Sequence, residues 1–390
     1  MSKIAFFSIA AYGHTNPTIE VVRELTQRGH QVTYYSFAPF RERIEAAGAE
    51  FVSCEGFISM LDKKDEKKVG KDLSLLVRMV TEISLAMDRV YFQQIKASNF
   101  DGIVADSMAY WGKFFAKRLN LPFICSTTTF AFNKYSARIM KQDLSSLFRS
   151  LFGWPSILRD IKALQQAGFP IKNVLDIIQN DNETNTIVYT SELFQPYAET
   201  FSERYAFVGP SIAPTPANPA DPERKTVYIS MGTVNNKLAA FYHNCIKAFG
   251  DGKYRVILSI GEWLNSADFN PLPEYISVHQ RVNQIATLQS ADAFLTHCGM
   301  NSVNEGLYFG VPLVTYPQTG EQGGVARRVN ELEAGLPVTD DAPEKIRTTV
   351  DALLADPKYR QNAMKISRSF REAGGAARAA DRILQVIGTR

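Results

Sequence analysis

The 390-residue sequence holds only four cysteines, Cys54, Cys125, Cys245 and Cys298, and no two of them form a Cys-x-x-Cys pair. That scatter argues against a zinc site and a disulfide framework, and it fits a reducing compartment. No apolar run approaches the roughly 20 residues that a membrane-spanning helix needs. The apolar start, residues 3–9, passes straight into Tyr12-Gly13-His14 without a small-residue cleavage pattern, so it reads as a buried strand rather than a secretion signal. The expected compartment is the cytoplasm. Neither sign of charge is in excess: 43 basic against 40 acidic residues leave +3, and the basic ones form no stripe that would suggest nucleic acid. No Gly-x-Gly-x-x-Gly follows a candidate strand, which counts against a nicotinamide dehydrogenase. No Asp-x-Asp pair offers a seat to a divalent ion.

What is present is the composition of a globular protein, 45% hydrophobic and 21% charged, at a length that suits two domains. Residues 3–9 predict a strand. Asn16 then stands where a helix cap belongs, with Pro17 at the first helical position, where a missing N–H costs nothing. Ile19, Val22 and Leu25 share one face, Gly29 stops the helix, and residues 31–36 return as a β-branched and aromatic strand. Further strands are expected at 51–54, 102–105 and 123–126. The stretch 208–225 contains five prolines and reads as a linker. The alternation then restarts, with strands at 226–230, 255–259, 276–279, 293–296 and 313–315. Strands alternating with helices imply two Rossmann-like, doubly wound parallel-sheet α/β domains, 1–207 and 226–390, facing a cleft beyond the carboxyl ends of their strands. A helical tail, 357–389, is long enough to pack back on the first domain. The charge run 61–72 reads as a solvated loop, with a flap over the cleft as the alternative.

Thr296-His297-Cys298-Gly299-Met300-Asn301-Ser302-Val303-Asn304-Glu305-Gly306 carries the most chemistry. An apolar strand ends in a small polar turn and a helix opens at about Asn301. A helix start presents N–H groups and a positive dipole end, which suits a diphosphate. Gly299 lets the backbone approach, His297, Asn301 and Ser302 can add donors, and Glu305 can accept from ribose hydroxyls. Gly310-Val311-Pro312 ends that helix, and Pro317-Gln318-Thr319-Gly320-Glu321-Gln322 follows.

In this order the residues resemble the signature of the UDP-glycosyltransferase family, and above all its bacterial macrolide and flavonoid members of the GT-B fold. The resemblance spans nearly the whole chain. It implies that His297, Gly299, Asn301 and Ser302 hold the diphosphate, Glu305 the ribose, and Glu321 and Gln322 the sugar hydroxyls. Arg281-Val282-Asn283-Gln284 occupies the family's base-binding segment, with Arg281 in place of an aromatic residue and Asn283 in place of proline. A guanidinium can itself stack on a base. Gly232 and Thr233 match the family's loop near the β-phosphate.

The loop Ala11–Pro17 resembles the family's acceptor loop, which implies that His14 is the general base and Asp106 its partner. Imidazole near its pKa can take a hydroxyl proton, and a carboxylate on its other nitrogen fixes the tautomer. Tyr12, Tyr110, Trp111, Phe130, Phe132, Phe148, Phe152 and Trp154 supply a core and, for several of them, the wall of an apolar acceptor pocket. The resulting expectation is inverting, metal-independent transfer of glucose or a similar hexose from a UDP-sugar, a co-substrate with no further cofactor. The acceptor would be a flavonoid, phenol or macrolide. A deoxysugar transferase using a dTDP-sugar is the alternative. A catalytically dead binding protein is disfavoured by the presence of both His14 and Asp106.

Overall fold

The computed structural model describes residues 1–56, 73–133, 135, 154–174, 183–232 and 237–388. The charge run 61–72, Phe148, Phe152 and Thr233 lie outside them. The chain forms two compact units, which are described separately. One comprises Met1–Tyr189, Tyr197–Ser211 and Ala376–Arg390; the other comprises Thr190–Pro196 and Ile212–Gly375.

In the first unit, β1 (Lys3–Phe7), β2 (Gln31–Ser36), β3 (Glu50–Ser53), β4 (Gly102–Asp106), β5 (Phe123–Thr127), β6 (Asn185–Val188) and β7 (Tyr205–Phe207) form one parallel sheet. Their order is 3-2-1-4-5-6-7. All five residues of β4 and the last four of β1 are buried, as expected of central parallel strands covered on both faces. The order reverses between β1 and β4, so the crevice beyond their carboxyl ends is the topological switch point of this sheet. The strands β6 and β7 are additions to the expected set.

The helix Tyr12–Gln27 differs from the sequence expectation at its start. Ala11 is its N-cap, and both His14 and Thr15 donate backbone N–H groups to the Ala11 carbonyl. Asn16 lies inside the helix and receives Arg43 Nη1 at 2.9 Å instead of capping. The cause is a buried polar contact: the Thr15 hydroxyl reaches Ser8 Oγ at 3.3 Å and the Ile9 carbonyl at 3.4 Å, fixing the turn before Pro17. Pro17 then falls inside the helix rather than at its first position.

In the second unit, β8 (Lys225–Ser230), β9 (Tyr254–Ser259), β10 (Ile276–His279), β11 (Ala293–Thr296), β12 (Leu313–Thr315) and β13 (Gly335–Pro337) are again all parallel, in the order 10-9-8-11-12-13. Its switch point lies between β8 and β11. Residues 212–224 carry no strand or helix but are laid down on this unit: Asn218 N donates to the Ala286 carbonyl at 3.0 Å, and Gln289 Nε2 to the Thr215 carbonyl at 2.8 Å. Arg328 likewise binds the Leu193 and Phe194 carbonyls, holding Thr190–Pro196 to the same unit.

The helical tail consists of two helices. Pro357–Glu372 stays with the second unit, and Gly374 (φ 92°) and Gly375 (φ 58°) break it from Gly375–Gly388. Ala379, Ala380, Ile383, Val386 and Ile387 of that last helix are buried in the first unit's core. Among the described residues no helix is long and apolar enough to cross a membrane.

Candidate active site

His14 and Asp106 flank the switch point of the first sheet. His14 is the third residue of the helix after β1, and Asp106 is the last residue of β4. His14 Nδ1 lies 2.9 and 3.0 Å from the two carboxylate oxygens of Asp106. The Asp106 side chain is fully covered, whereas the imidazole is 22% exposed. Asp106 Oδ1 also receives Met108 N–H at 2.8 Å, so the carboxylate orients the histidine and the turn into the helix Tyr110–Leu119 at once. A buried carboxylate accepts and does not donate, which puts the neutral ring's proton on Nδ1 and its lone pair on Nε2. Thr128 Oγ1, just past β5, sits 3.2 Å from the same Nδ1. With the proton on Nδ1, that oxygen is a further acceptor. Thr128 was not among the sequence candidates; its only local trace is the Ser126-Thr127-Thr128 run at a strand's carboxyl end.

Beneath this pair the packing is polar and closed. Ser8 Oγ meets Ser36 Oγ at 3.1 Å, and Thr18 Oγ1 meets Tyr34 Oη at 2.7 Å. Burial pushes the Tyr34 hydroxyl up to about 12, so it remains a neutral donor. Of the expected aromatic wall, Trp111 and Phe130 are buried core, Phe132 and Trp154 are exposed, and Tyr12 packs edge-on to Phe40.

In the second unit the donor candidates follow four strands: those after β8 and β11 flank the switch point, Arg281 to Gln284 follow β10, and Glu321 and Gln322 follow β12. Gly232 follows β8, and His297 to Gly299 follow β11. The two glycines make room for His297: a Cβ on Gly232 (φ 77°) would lie 2.6 Å from its ring, and one on Gly299 would lie 2.5 Å from Nε2. Burial drives this imidazole down to about 4, so it is neutral at pH 7; its Nδ1 has no partner among the described residues, and the Ser230 backbone is its hydrogen-bond neighbour. Gly299 is the N-cap of the helix Met300–Tyr308 and brings no side chain to cap it. Cys298 is held at φ 65° with its thiol buried, and burial pushes that thiol up and makes it inert. Asn301 and Ser302 stand, half-buried, in the first turn.

Glu305, one turn further, is joined to Gln284. Gln284 Nε2 donates to Glu305 Oε2 at 2.5 Å and reaches Ser302 Oγ at 3.5 Å, while Tyr228 Oη donates to Gln284 Oε1 at 3.0 Å. The tyrosine thereby sets which way the amide points. Desolvation raises the Glu305 carboxyl to about 7, with Gln284 acting against the rise. Asn283 caps the short helix Gln284–Leu288 by accepting from Ala286 N at 3.1 Å. This is a role for the residue found where the family has proline. Val282 lies between Asn283 and Arg281, and Arg281 Nη2 pairs with Glu262 at 2.8 Å on the surface. Glu321 and Gln322 open the helix Gly320–Glu331: Glu321 is exposed, and Gln322 Oε1 accepts from Gln318 N at 2.7 Å, leaving its NH2 group to donate.

Two all-parallel Rossmann-like sheets, each with polar side chains at its switch point, are the sheets of a GT-B fold, and the relatives below make the chain a glycosyltransferase of that type. The chain belongs to the UDP-glycosyltransferase family. The family model for UDP-glucoronosyl and UDP-glucosyl transferases matches residues 223–373. The NDP-glycosyltransferase YjiC of Bacillus licheniformis is 34% identical over 97% of this chain and 96% of its own length. The oleandomycin glycosyltransferase of Streptomyces antibioticus is 30% identical over 97% of this chain and 90% of its own. Among solved structures, the calicheamicin glycosyltransferase CalG4 superposes with a TM-score of 0.83 at 28% identity, covering 100% of this chain and 99% of its own.

Proposed function

We propose that the protein is an inverting O-glycosyltransferase that moves glucose or a similar hexose from UDP to a hydroxyl of a small lipophilic acceptor. A flavonoid, phenol or macrolide is the class of acceptor meant. The observation that carries this reading is the contact of His14 Nδ1 with the buried Asp106 at 2.9 Å, which leaves Nε2 basic. As the acceptor oxygen attacks the anomeric carbon, its proton passes to Nε2. The bond from that carbon to the diphosphate oxygen breaks with its electron pair, and the imidazolium formed is stabilised by Asp106. An α-linked donor yields a β-glycoside.

On the donor side, the start of the helix Met300–Tyr308, Gly232 and the segment His297–Ser302 receive the diphosphate, so the leaving charge meets the positive end of a helix. Glu305 accepts from the ribose, Arg281, Val282 and Gln284 face the base, and Glu321 and Gln322 hold the sugar. In this reading the reaction needs no metal and no further cofactor. The relatives named for oleandomycin and calicheamicin support a small natural-product acceptor. Four buried cysteines, none of them in a disulfide, support a cytoplasmic setting.

The departure at Arg281 and Asn283 supports a second reading, transfer of a deoxysugar from dTDP. One experiment decides between them: purified protein with UDP-glucose, UDP-galactose and a dTDP-deoxysugar against a panel of phenols and macrolides, read by mass shift and anomeric coupling constant. A β-glucoside from UDP-glucose supports the first reading. Turnover of the thymidine-linked donor alone selects the second, and no transfer from any donor refutes both.

A further inference from the structure

We propose that Trp263 is the stacking platform for the nucleobase of the sugar donor, a role that rests on the donor reading above. Trp263 lies in the loop after β9, at the carboxyl edge shared by β8, β9 and β10, whose ends are level in register (Ser230 beside Ser259, Ser259 beside His279). Its side chain is 63% exposed, more than the other exposed tryptophan, Trp154, at 46%. A single exposed aromatic is ordinary. Three further observations single this one out.

The loop is clamped on both sides of the indole to the segment that leads into Gln284. Ile260 N and Gly261 N donate to the His279 and Gln280 carbonyls at 2.9 and 3.0 Å, and Gln280 Nε2 donates to the Leu264 carbonyl at 3.1 Å. Glu262 binds Arg281 at 2.8 Å. The ring is thus an ordered surface on the same edge as Gln284 and Glu305, the pair to which the donor reading gives the base and the ribose. Lys237 Nζ stands 4.0 Å from the ring centroid, covering one face with a cation and orienting the indole by a cation–π contact. Finally, Arg281, which occupies the family's aromatic position, has its guanidinium engaged by Glu262. The loop that supplies Glu262 supplies an indole one residue later.

Base stacking on an indole quenches its fluorescence, and the chain has three tryptophans, of which Trp111 is 4% exposed. In a Trp154→Phe background, UDP is expected to quench the emission, while inorganic pyrophosphate, which has no base, leaves it unchanged. Trp263→Ala is expected to weaken UDP binding by about 10-fold in calorimetry, in keeping with the usual worth of base stacking. It should leave pyrophosphate binding and kcat at saturating donor within about 2-fold, whereas Trp263→Phe should keep the UDP affinity within about 3-fold. Because Trp263 is exposed, both variants are expected to keep the parent Tm. UDP binding that is unchanged in Trp263→Ala overturns the role of Trp263 and leaves the donor reading standing. No UDP binding by the parent protein overturns both.

Discussion

In the proposed mechanism His14 depends on Asp106 more than on its other surroundings, because the buried carboxylate decides which nitrogen keeps a lone pair. Replacing His14 with alanine is expected to lower kcat by about 10²- to 10⁴-fold, with the donor KM within a few-fold. Asp106→Asn should lower kcat by at least about 10²-fold, because an amide no longer favours the proton on Nδ1. Acidic phenols should lose less in His14→Ala than alkyl alcohols, since they depend less on a base. An equal loss for both acceptor types would count against His14 taking the proton. Glu305 titrates in a different way. Its folded carboxyl lies at about 7, above the ordinary carboxylate range, so between about pH 4.5 and 7 the folded state holds a proton that the unfolded state has released. Its contribution to stability therefore falls as pH rises through that window. Glu305→Gln is expected to raise Tm above pH 7 and to change it little at pH 4.5. In the proposed donor site the carboxylate is the form that accepts from the ribose, so the donor KM should rise below pH 7 in the parent and stay high and flat in the variant. Initial rates against donor concentration from pH 5.5 to 8.5 measure this.

The loops that carry these residues are precise because of the elements beneath them. Gly299 is both the cap of the helix Met300–Tyr308 and the gap into which His297 fits, so a methyl group at 2.5 Å from Nε2 must displace the ring or the helix start. Gly299→Ala is expected to weaken pyrophosphate and UDP binding alike, by on the order of 10-fold, with His14-dependent chemistry unchanged at saturation. Tyr228→Phe leaves Gln284 Oε1 without its donor and frees the amide to rotate. The donor KM should rise by about 3- to 10-fold while kcat holds; equal loss in both would mean the tyrosine acts on something other than donor placement. Both elements show what a sequence reveals and what it hides. The strands of both switch points were legible because central parallel strands are continuous apolar runs, and 297–322 was legible because its residues lie close together along the chain. Thr128 and His14 are 114 positions apart, and the Tyr228–Gln284 bond spans 56, so no local pattern announces either contact. The start of the helix Tyr12–Gln27 was misread because Asn16-Pro17 is a good cap signal and the buried Ser8–Thr15 contact that overrides it is tertiary. The strands β6, β7 and β13, of three or four residues, are too short to show a period.

At the scale of the whole molecule, the proline-rich stretch does not divide the chain into two self-sufficient halves. The last helix, Gly375–Gly388, belongs to the unit built by the first half of the sequence: Ile387 lies against Gly102 of β4, where a Cβ would approach it to 2.6 Å, and Arg28 pairs with Asp381 at 2.5 Å. Arg382 adds a bond to Asn185 of β6. A chain ending at residue 374 therefore exposes the face that Ala379, Ala380, Ile383, Val386 and Ile387 cover, and each aliphatic side chain uncovered costs about 1.5–3 kcal/mol. That truncation is expected to lower the Tm of the first unit and to raise hydrogen exchange along β4 and β6, while β8 to β12 keep their protection. Since β4 ends in Asp106, kcat should fall with it even though every proposed catalytic side chain is still present. A synthetic peptide of residues 375–390 should restore part of both when added in excess. Uniform loss of protection across both sheets, or none, would refute this assignment of the helix. The expected pattern would show that the proposed base depends on chain from the far end of the sequence, which is why the first 207 residues alone should make a poor acceptor domain.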